Sequence, residues 1–245
     1  MQSKMISAAL SALALALVAG SASAQVADGS TLAGWTVAGD AAAIDGHLVV
    51  TNASASFADD VDAGLDANGA RNVSGHDPLA TGNGAGSLEQ ALGRADTPFD
   101  DVANGAWSYE GSAVSQSFMA AAGSRLTFRW DLRTLDQRDP SQADFAFVIV
   151  DGTLIKLADA FVATLANADA DYAAATGWTT HADYTFTTSG PHTISFGVVD
   201  VGDFNDTSAL SIADVSVSSV PETSTLALVG AGLAMLGLQA RRRKP

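Results

Sequence analysis

The chain has 245 residues, with 27 Asp or Glu, 12 Lys or Arg and a formal net charge of −15. Residues 25–220 hold 26 acidic and only 7 basic residues, because the remaining acidic residue, Glu222, and five of the basic residues, Lys4 and the four at 241–244, lie outside this range. This part repels polyanions, which excludes nucleic-acid binding. The chain has no cysteine, so disulfides and thiol chemistry are excluded, and a hydrophobic core, with or without bound cations, has to stabilise the fold.

The first 24 residues have the pattern of a secretory signal peptide. Lys4 supplies a positive charge, an apolar run covers residues 6–18, and Ala22-Ser23-Ala24 is a small-residue cleavage site. We therefore predict that signal peptidase cuts after Ala24 and that the protein is exported.

Residues 25–219 are long enough for one domain with its own core, and their apolar residues recur with a period of two. In residues 125–133, for example, Leu126, Phe128, Trp130 and Leu132 alternate with polar residues, which indicates a half-buried antiparallel strand. The predicted strands are 31–37, 43–44, 47–50, 113–118, 125–133, 144–150, 154–157, 180–187, 192–199 and 210–217. Asp45-Gly46 and Asp151-Gly152 predict tight hairpins. The whole pattern predicts an all-β fold, an antiparallel β-sandwich.

Residues 51–106 form a long connection rich in Gly, Ala, Asp and Asn, with little periodicity. A connection of this length is uncommon inside a compact domain, so we expect either function or disorder there. Within it, Ser87 to Gln90 has the spacing of a capping box and predicts one or two helical turns.

The loop after the strand 192–199 is acidic. Asp200, Asp203 and Asp206 follow one another at three-residue intervals, a pattern that can gather oxygen ligands for a hard cation such as Ca²⁺. The alternative is a polar turn with no ligand.

Asp214 lies in the last strand, where its parity predicts an inward side chain that a cation, an arginine or backbone N–H groups would have to compensate. A bulge at Ala213-Asp214 is predicted, because Leu210 and Ile212 differ in parity from Val215 and Val217.

No catalytic motif is found in the chain. The four histidines, His47, His76, His181 and His192, are scattered without a metal-ligand spacing. Residues 82–86 lack the lysine of a phosphate loop, and there is no nucleophile elbow. We predict that the protein is not an enzyme.

The last 26 residues have the order of a sorting signal. Val220, Pro221, Glu222 and Thr223 form a turn-like motif, residues 223–240 carry no charge, and Arg241, Arg242, Arg243 and Lys244 form a basic end. As a helix the uncharged stretch would be about 27 Å long, near the lower limit for crossing a bilayer. The basic cluster would then act as a stop-transfer signal and remain cytoplasmic.

This tail resembles the PEP-CTERM sorting signal of Gram-negative bacteria, in which a Val-Pro-Glu-Pro motif precedes a transmembrane helix and a basic cluster. Thr223 replaces the second proline of that motif. The resemblance implies an inner-membrane-anchored precursor that exosortase cuts near the motif, followed by location at the cell surface or in the extracellular matrix, together with exopolysaccharide or biofilm. An anchor that is never cleaved is the alternative.

Residues 107–218 resemble jelly-roll carbohydrate-binding modules and the ectodomain of PEP-CTERM proteins. The resemblance depends on phrases that occur in order at 110–118, 126–130, 144–147 and 196–203, the last followed by 208–215. It implies a jelly-roll-like sandwich, and it implies a structural calcium at Asp214, which matches the position of an aspartate ligand in the last strand of those modules.

Two functions follow from these features. The first is a non-catalytic secreted or surface protein of the extracellular matrix, sorted by exosortase and serving structure or adhesion. The second is a ligand-specific carbohydrate-binding module, which would require a concave groove lined by aromatic residues. Exposed Trp or Tyr side chains in a row across one sheet would favour the module. A flat acidic face with buried aromatic residues would favour the matrix protein. Five aromatic residues lie near strand ends or in loops, where such residues more often cover a core than bind a ligand: Trp35, Trp107, Tyr109, Tyr172 and Trp178.

Overall fold

The structure is a computed structural model. It describes residues 26–53, 70–73, 86–94, 98–103, 105–136, 139–163, 171–202, 206–218, 230–233, 235 and 236. The predicted signal peptide with Ala22 and Ala24, the motif Val220 to Thr223 and the basic cluster at 241–244 therefore lie outside the described residues. Within the described ranges, no helix combines the length and the apolar character needed to cross a bilayer.

Two antiparallel sheets make up the described fold, and hydrogen-bonded neighbours define their order. Sheet A has the order β1-β5-β11-β7-β8, with β4 also paired to β5, and sheet B has the order β10-β6-β12-β3-β2, with β9 also paired to β6. The strands are β1 (Thr36–Ala38), β2 (Asp40–Ile44), β3 (His47–Thr51), β4 (Arg71–Asn72), β5 (Ser108–Ala120), β6 (Arg125–Thr134), β7 (Phe145–Val150), β8 (Thr153–Asp159), β9 (Ala174–Ala175), β10 (Thr179–Thr185), β11 (Gly190–Val201) and β12 (Ser208–Ser218).

The main core lies between the two sheets, and period-two alternation places its side chains there. Phe128 and Trp130 of β6 point inward from sheet B, and Ile194 and Phe196 of β11 belong to the same core from sheet A. Phe128 and Phe196 meet edge to face, with ring centroids 4.7 Å apart. The facing predicted for these two strands is confirmed, because the buried parity is the parity of the apolar residues.

Both predicted Asp-Gly hairpins are confirmed. Asp45 and Asp151 have φ values of 50° and 48°, and Gly46 and Gly152 follow them with φ values of 80° and 81°. Two consecutive residues with positive φ give the turn whose twist matches that of the paired strands. These turns join β2 to β3 and β7 to β8.

The predicted bulge in β12 is confirmed, but the predicted facing of Asp214 is wrong. The register with β6 shifts between Ala213 and Ser216, and Asp214 has a φ of 54°. The extra residue of the bulge turns its side chain to solvent, where 68% of it is exposed, while Val215 returns to the core. Asp214 therefore contacts Arg129 at 3.3 Å instead of entering the interior.

The two helices in the connection 51–106 pack onto the outer face of sheet A. Helices α1 (Leu88–Ala91) and α2 (Pro98–Val102) bring Leu88 and Phe99 against Phe145 and Phe147, and these residues belong to a second core. The capping box is confirmed at its N-cap, because the Ser87 side chain accepts a hydrogen bond from the Gln90 N–H at 3.2 Å. The strand predicted at 31–37 is shorter than expected, since only its end belongs to β1.

Candidate functional site

The candidate site is a concavity at one end of the sandwich, where β5 begins and β11 ends. It has a volume of about 370 Å³. Its lining comes from three separate segments of the chain and consists of Gly105, Ala106, Trp107, Tyr109, Ser141, Gln142 and Gly202. The acidic loop predicted at 200–206 therefore reaches this end of the molecule through Gly202.

Backbone contacts fix the position of Trp107. The Gly202 N–H donates to the Trp107 carbonyl at 2.9 Å, and Gly202 has a φ of 92°. A Cβ at Gly202 would lie 2.5 Å from the Cγ of Gln142, so only glycine permits this close approach of the two segments. The Gln142 side-chain amide in turn donates to the Gly202 carbonyl at 3.4 Å.

The chemistry of this concavity is that of an aromatic platform beside polar groups. Trp107 is 59% exposed, and its ring lies 6.5 Å from that of Tyr109 at an interplanar angle of 62°. An indole with an exposed apolar body can cover a flat apolar ligand surface. The adjacent Ser141 hydroxyl, whose O–H donates to Asp139 Oδ1 at 2.7 Å, can accept a hydrogen bond from a ligand, and the Gln142 amide can both donate and accept.

A buried polar cluster centred on Asp144 connects the strands at the same end. Its carboxylate accepts hydrogen bonds from the Asn52 amide at 2.8 Å, the Ser208 hydroxyl at 2.6 Å and the Val201 N–H at 3.0 Å. These contacts join the ends of β3 and β11 to the starts of β7 and β12. Because the side chain is fully buried, each of these bonds is protected from water and helps to hold the loops around the concavity.

Burial, and next the nearby Asp136 carboxylate, raise the pKa of Asp144 well above its usual value of 3.8. The native state therefore binds a proton more tightly than the unfolded chain. The stability that Asp144 contributes is complete below the unfolded pKa and is lost as the pH rises through the folded pKa.

We expect the difference in free energy of unfolding between the wild type and Asp144→Asn to fall as the pH rises from about 4 towards neutrality. Urea denaturation of both proteins at several pH values measures this difference. The exposed substitution Asp183→Asn is the control and should show no comparable trend. A difference that stays constant or grows with pH would contradict the raised pKa.

Among the described residues, the predicted calcium ligands Asp200, Asp206 and Asp214 are not brought together in a group placed to hold a metal. Asp214 is the extra residue of the β12 bulge and pairs with Arg129 on the solvent side, whereas Asp200 is buried near the end of β11. Asp203 lies outside the described residues, and Asp206 is half-buried next to the start of β12. Among the described residues no group of three His, Cys, Asp or Glu side chains is placed to hold a metal. Calcium at the loop 200–206 stays a prediction, and Asp214 does not fit it.

A second concavity lies on the outer face of sheet A, beside α1. It has a volume of about 480 Å³, and paired strands line it with hydroxyl groups. Ser115 of β5 donates to Ser195 of β11 at 2.8 Å, and Ile149 and Leu92 are its apolar neighbours. No aromatic residue lines this groove in the part of the chain that the structure describes.

The fold and the concavity define a class: an antiparallel β-sandwich with an exposed tryptophan at one end. No family model and no curated protein matches the chain. Among solved structures, the chain is similar to a family 35 carbohydrate-binding module from an environmental isolate, at 16% identity and a TM-score of 0.24, over 45% of this chain and 73% of the module. It is also similar to the enzymatically active domain of tailspike protein 4 of bacteriophage CBA120, at 11% identity and a TM-score of 0.28, over 80% of this chain and 21% of that chain. Likenesses at these TM-scores support neither a ligand nor an activity.

Proposed function

We propose that this chain is a non-catalytic, exported glycan-binding protein whose binding site is the concavity at Trp107. The observation that supports the proposal is the exposed indole of Trp107, held by backbone contacts beside Tyr109 and Gln142. Pyranose rings have apolar C–H faces and hydroxyl edges, and an aromatic face with adjacent amide and hydroxyl groups complements both. The alternation of consecutive strands between the sheets from β5 to β7 supports the jelly-roll-like classification.

The expected ligand class is an uncharged polysaccharide. The excess of acidic residues in residues 25–220 gives a field that repels polyanions. The arrangement of the aromatic residues fully meets neither the pattern expected of a carbohydrate-binding module nor that expected of a structural matrix protein. Trp35, Trp130 and Tyr172 are buried, but Trp107 and Trp178 are exposed, so the aromatic residues are neither all buried nor arranged in one row across a sheet.

We expect Trp107→Ala to weaken glycan binding by about 10- to 100-fold, because truncation of a central aromatic residue commonly removes 2 kcal/mol or more. A glycan array identifies the bound structures for the wild type, in calcium and in chelator. Titration with the strongest of them compares the variants. The full chain is kept in a non-ionic detergent without a sugar headgroup.

The matched control is Met119→Ala, which removes a side chain of similar exposure (61%) near the other end of β5. It should leave the affinity unchanged. Equal affinities for the wild type and Trp107→Ala, or an array on which the wild type binds nothing, would contradict the proposed function.

We also propose that signal peptidase and exosortase process the chain, which places the mature protein at the cell surface or in the extracellular matrix. The support is the order of Ala22-Ser23-Ala24, Val220 to Thr223 and the basic cluster at 241–244. We expect intact-mass measurement of protein from an exosortase-competent host to show a product that begins at Gln25 and lacks the apolar tail. A surface protein that retains Pro245 would instead support an uncleaved anchor.

A further inference from the structure

A second exposed tryptophan lies on the outer face of sheet B. Trp178 is 41% exposed, and two neighbours hold its ring. The guanidinium carbon of Arg129 lies 5.0 Å from the ring centroid, and the ring of His47 meets the indole edge to face at 5.4 Å and 86°. These contacts restrict the orientation of the ring before any ligand binds, which lowers the entropic cost of binding.

The β12 bulge places a carboxylate beside Arg129, the residue whose guanidinium lies over this ring. Asp214 pairs with Arg129, and the two side chains are 68% and 44% exposed. A non-glycine residue at a φ of 54° lies in a sparsely populated region, and glycine would adopt it more readily. Aspartate is one of the residues that adopt a positive φ most often after glycine, as Asp45 and Asp151 do in the two hairpins, and the exposed ion pair of Asp214 itself contributes little to stability.

The group of Trp178, Arg129 and Asp214 combines a partly exposed indole, one face of which Arg129 covers, with hydrogen-bond donors and acceptors beside it. The guanidinium can donate to one hydroxyl while the carboxylate accepts from its neighbour. Beneath them, Asp131 accepts from Thr176 at 3.1 Å and Arg133 donates to Ser211 at 3.0 Å. The positive charges of Arg129 and Arg133 balance the negative charges of Asp131 and Asp214. This balance suits an uncharged polyhydroxylated ligand better than a polyanion.

We propose that Trp178, Arg129 and Asp214 form a second saccharide-binding site, so that one molecule can bridge two polysaccharide chains. This inference rests on the proposed function, since it requires the Trp107 concavity to bind glycan as well. Trp107 immediately precedes β5 of sheet A, and Trp178 lies on the outer face of sheet B, with the main core between the sheets. Bivalent attachment also raises avidity above that of either site.

The test is affinity electrophoresis of the full chain, in the same sugar-free detergent, through native gels that contain hydroxyethylcellulose, xylan or dextran. We expect Trp107→Ala and Trp178→Ala each to weaken retardation by about 10-fold or more, and the double variant to lose it. Light scattering of the wild type mixed with the retarding polysaccharide should rise through cross-linking. Neither single variant should cross-link, and Arg125→Ala, on the same strand but distant from Trp178 in register, should behave as the wild type.

Asp214→Gly separates binding from folding. Glycine relieves the positive φ, so we expect an unchanged or higher Tm together with weaker retardation and no cross-linking. If Trp178→Ala and Asp214→Gly are retarded and cross-link as the wild type does, the second site is overturned, while loss of binding in Trp107→Ala would still support the proposed function. If Trp178→Ala loses binding and Trp107→Ala binds as the wild type does, the Trp107 site and the bivalent arrangement are both overturned. The saccharide site on sheet B would then still be supported.

Discussion

Trp130→Ala should lower the free energy of unfolding by about 3–5 kcal/mol, the usual range for removing a large aromatic side chain from a core. Trp130 is only 7% exposed and lies in the main core between the sheets. It sits on β6, which pairs with β12, and its position in the register faces Ile212, another core residue. The cavity left by the indole cannot close easily, because strands on both sides are fixed by their own ladders.

Urea denaturation followed by circular dichroism measures this loss. Met119→Ala is the control, since removing its exposed side chain should change stability by less than about 0.5 kcal/mol. If Trp130→Ala has the same urea midpoint as the wild type, the face of β6 that carries Trp130 does not point into the core.

Phe99→Ala should cost a similar amount, about 3–5 kcal/mol. Phe99 is fully buried in the second core, with its ring 5.0 Å from that of Phe147 and 6.4 Å from that of Phe145. It belongs to α2, in the connection 51–106, so its loss should release α2 from the outer face of sheet A and make this segment sensitive to limited proteolysis.

The control for this prediction is Asp101→Ala, which removes an exposed side chain from the same short helix. It should leave both the stability and the proteolysis pattern close to those of the wild type. A Phe99→Ala variant with wild-type stability and protease resistance would show that α2 does not form part of the folded layer.

The strands could be predicted from the sequence because their signal is local. Alternation along 125–133 and 192–199 determines which face is buried, and Asp-Gly pairs determine two of the turns, without any knowledge of the partner strands. The facing of Asp214 could not be derived in this way. Parity counts residues along a regular strand, and the bulge inserts one residue whose positive φ directs its side chain to solvent.

The candidate site could be predicted only in part. Trp107 and Tyr109 were recognisable as aromatic residues near a strand end, but their exposure depends on Gln142 and Gly202, which are distant in sequence. Nothing in the local pattern indicates that these segments meet. The burial of Asp144 is likewise a tertiary property, since its partners Asn52, Val201 and Ser208 come from three other strands or strand ends.

The most direct test of the central claim is a crystal structure of the protein with the oligosaccharide that binds most strongly on the glycan array. We predict a sugar ring stacked on the indole of Trp107, with a hydroxyl group within hydrogen-bond distance of the Gln142 side-chain amide. A structure in which the sugar occupies only the hydroxyl-lined groove at Ser115 and Ser195, and leaves Trp107 uncovered, would contradict the claim.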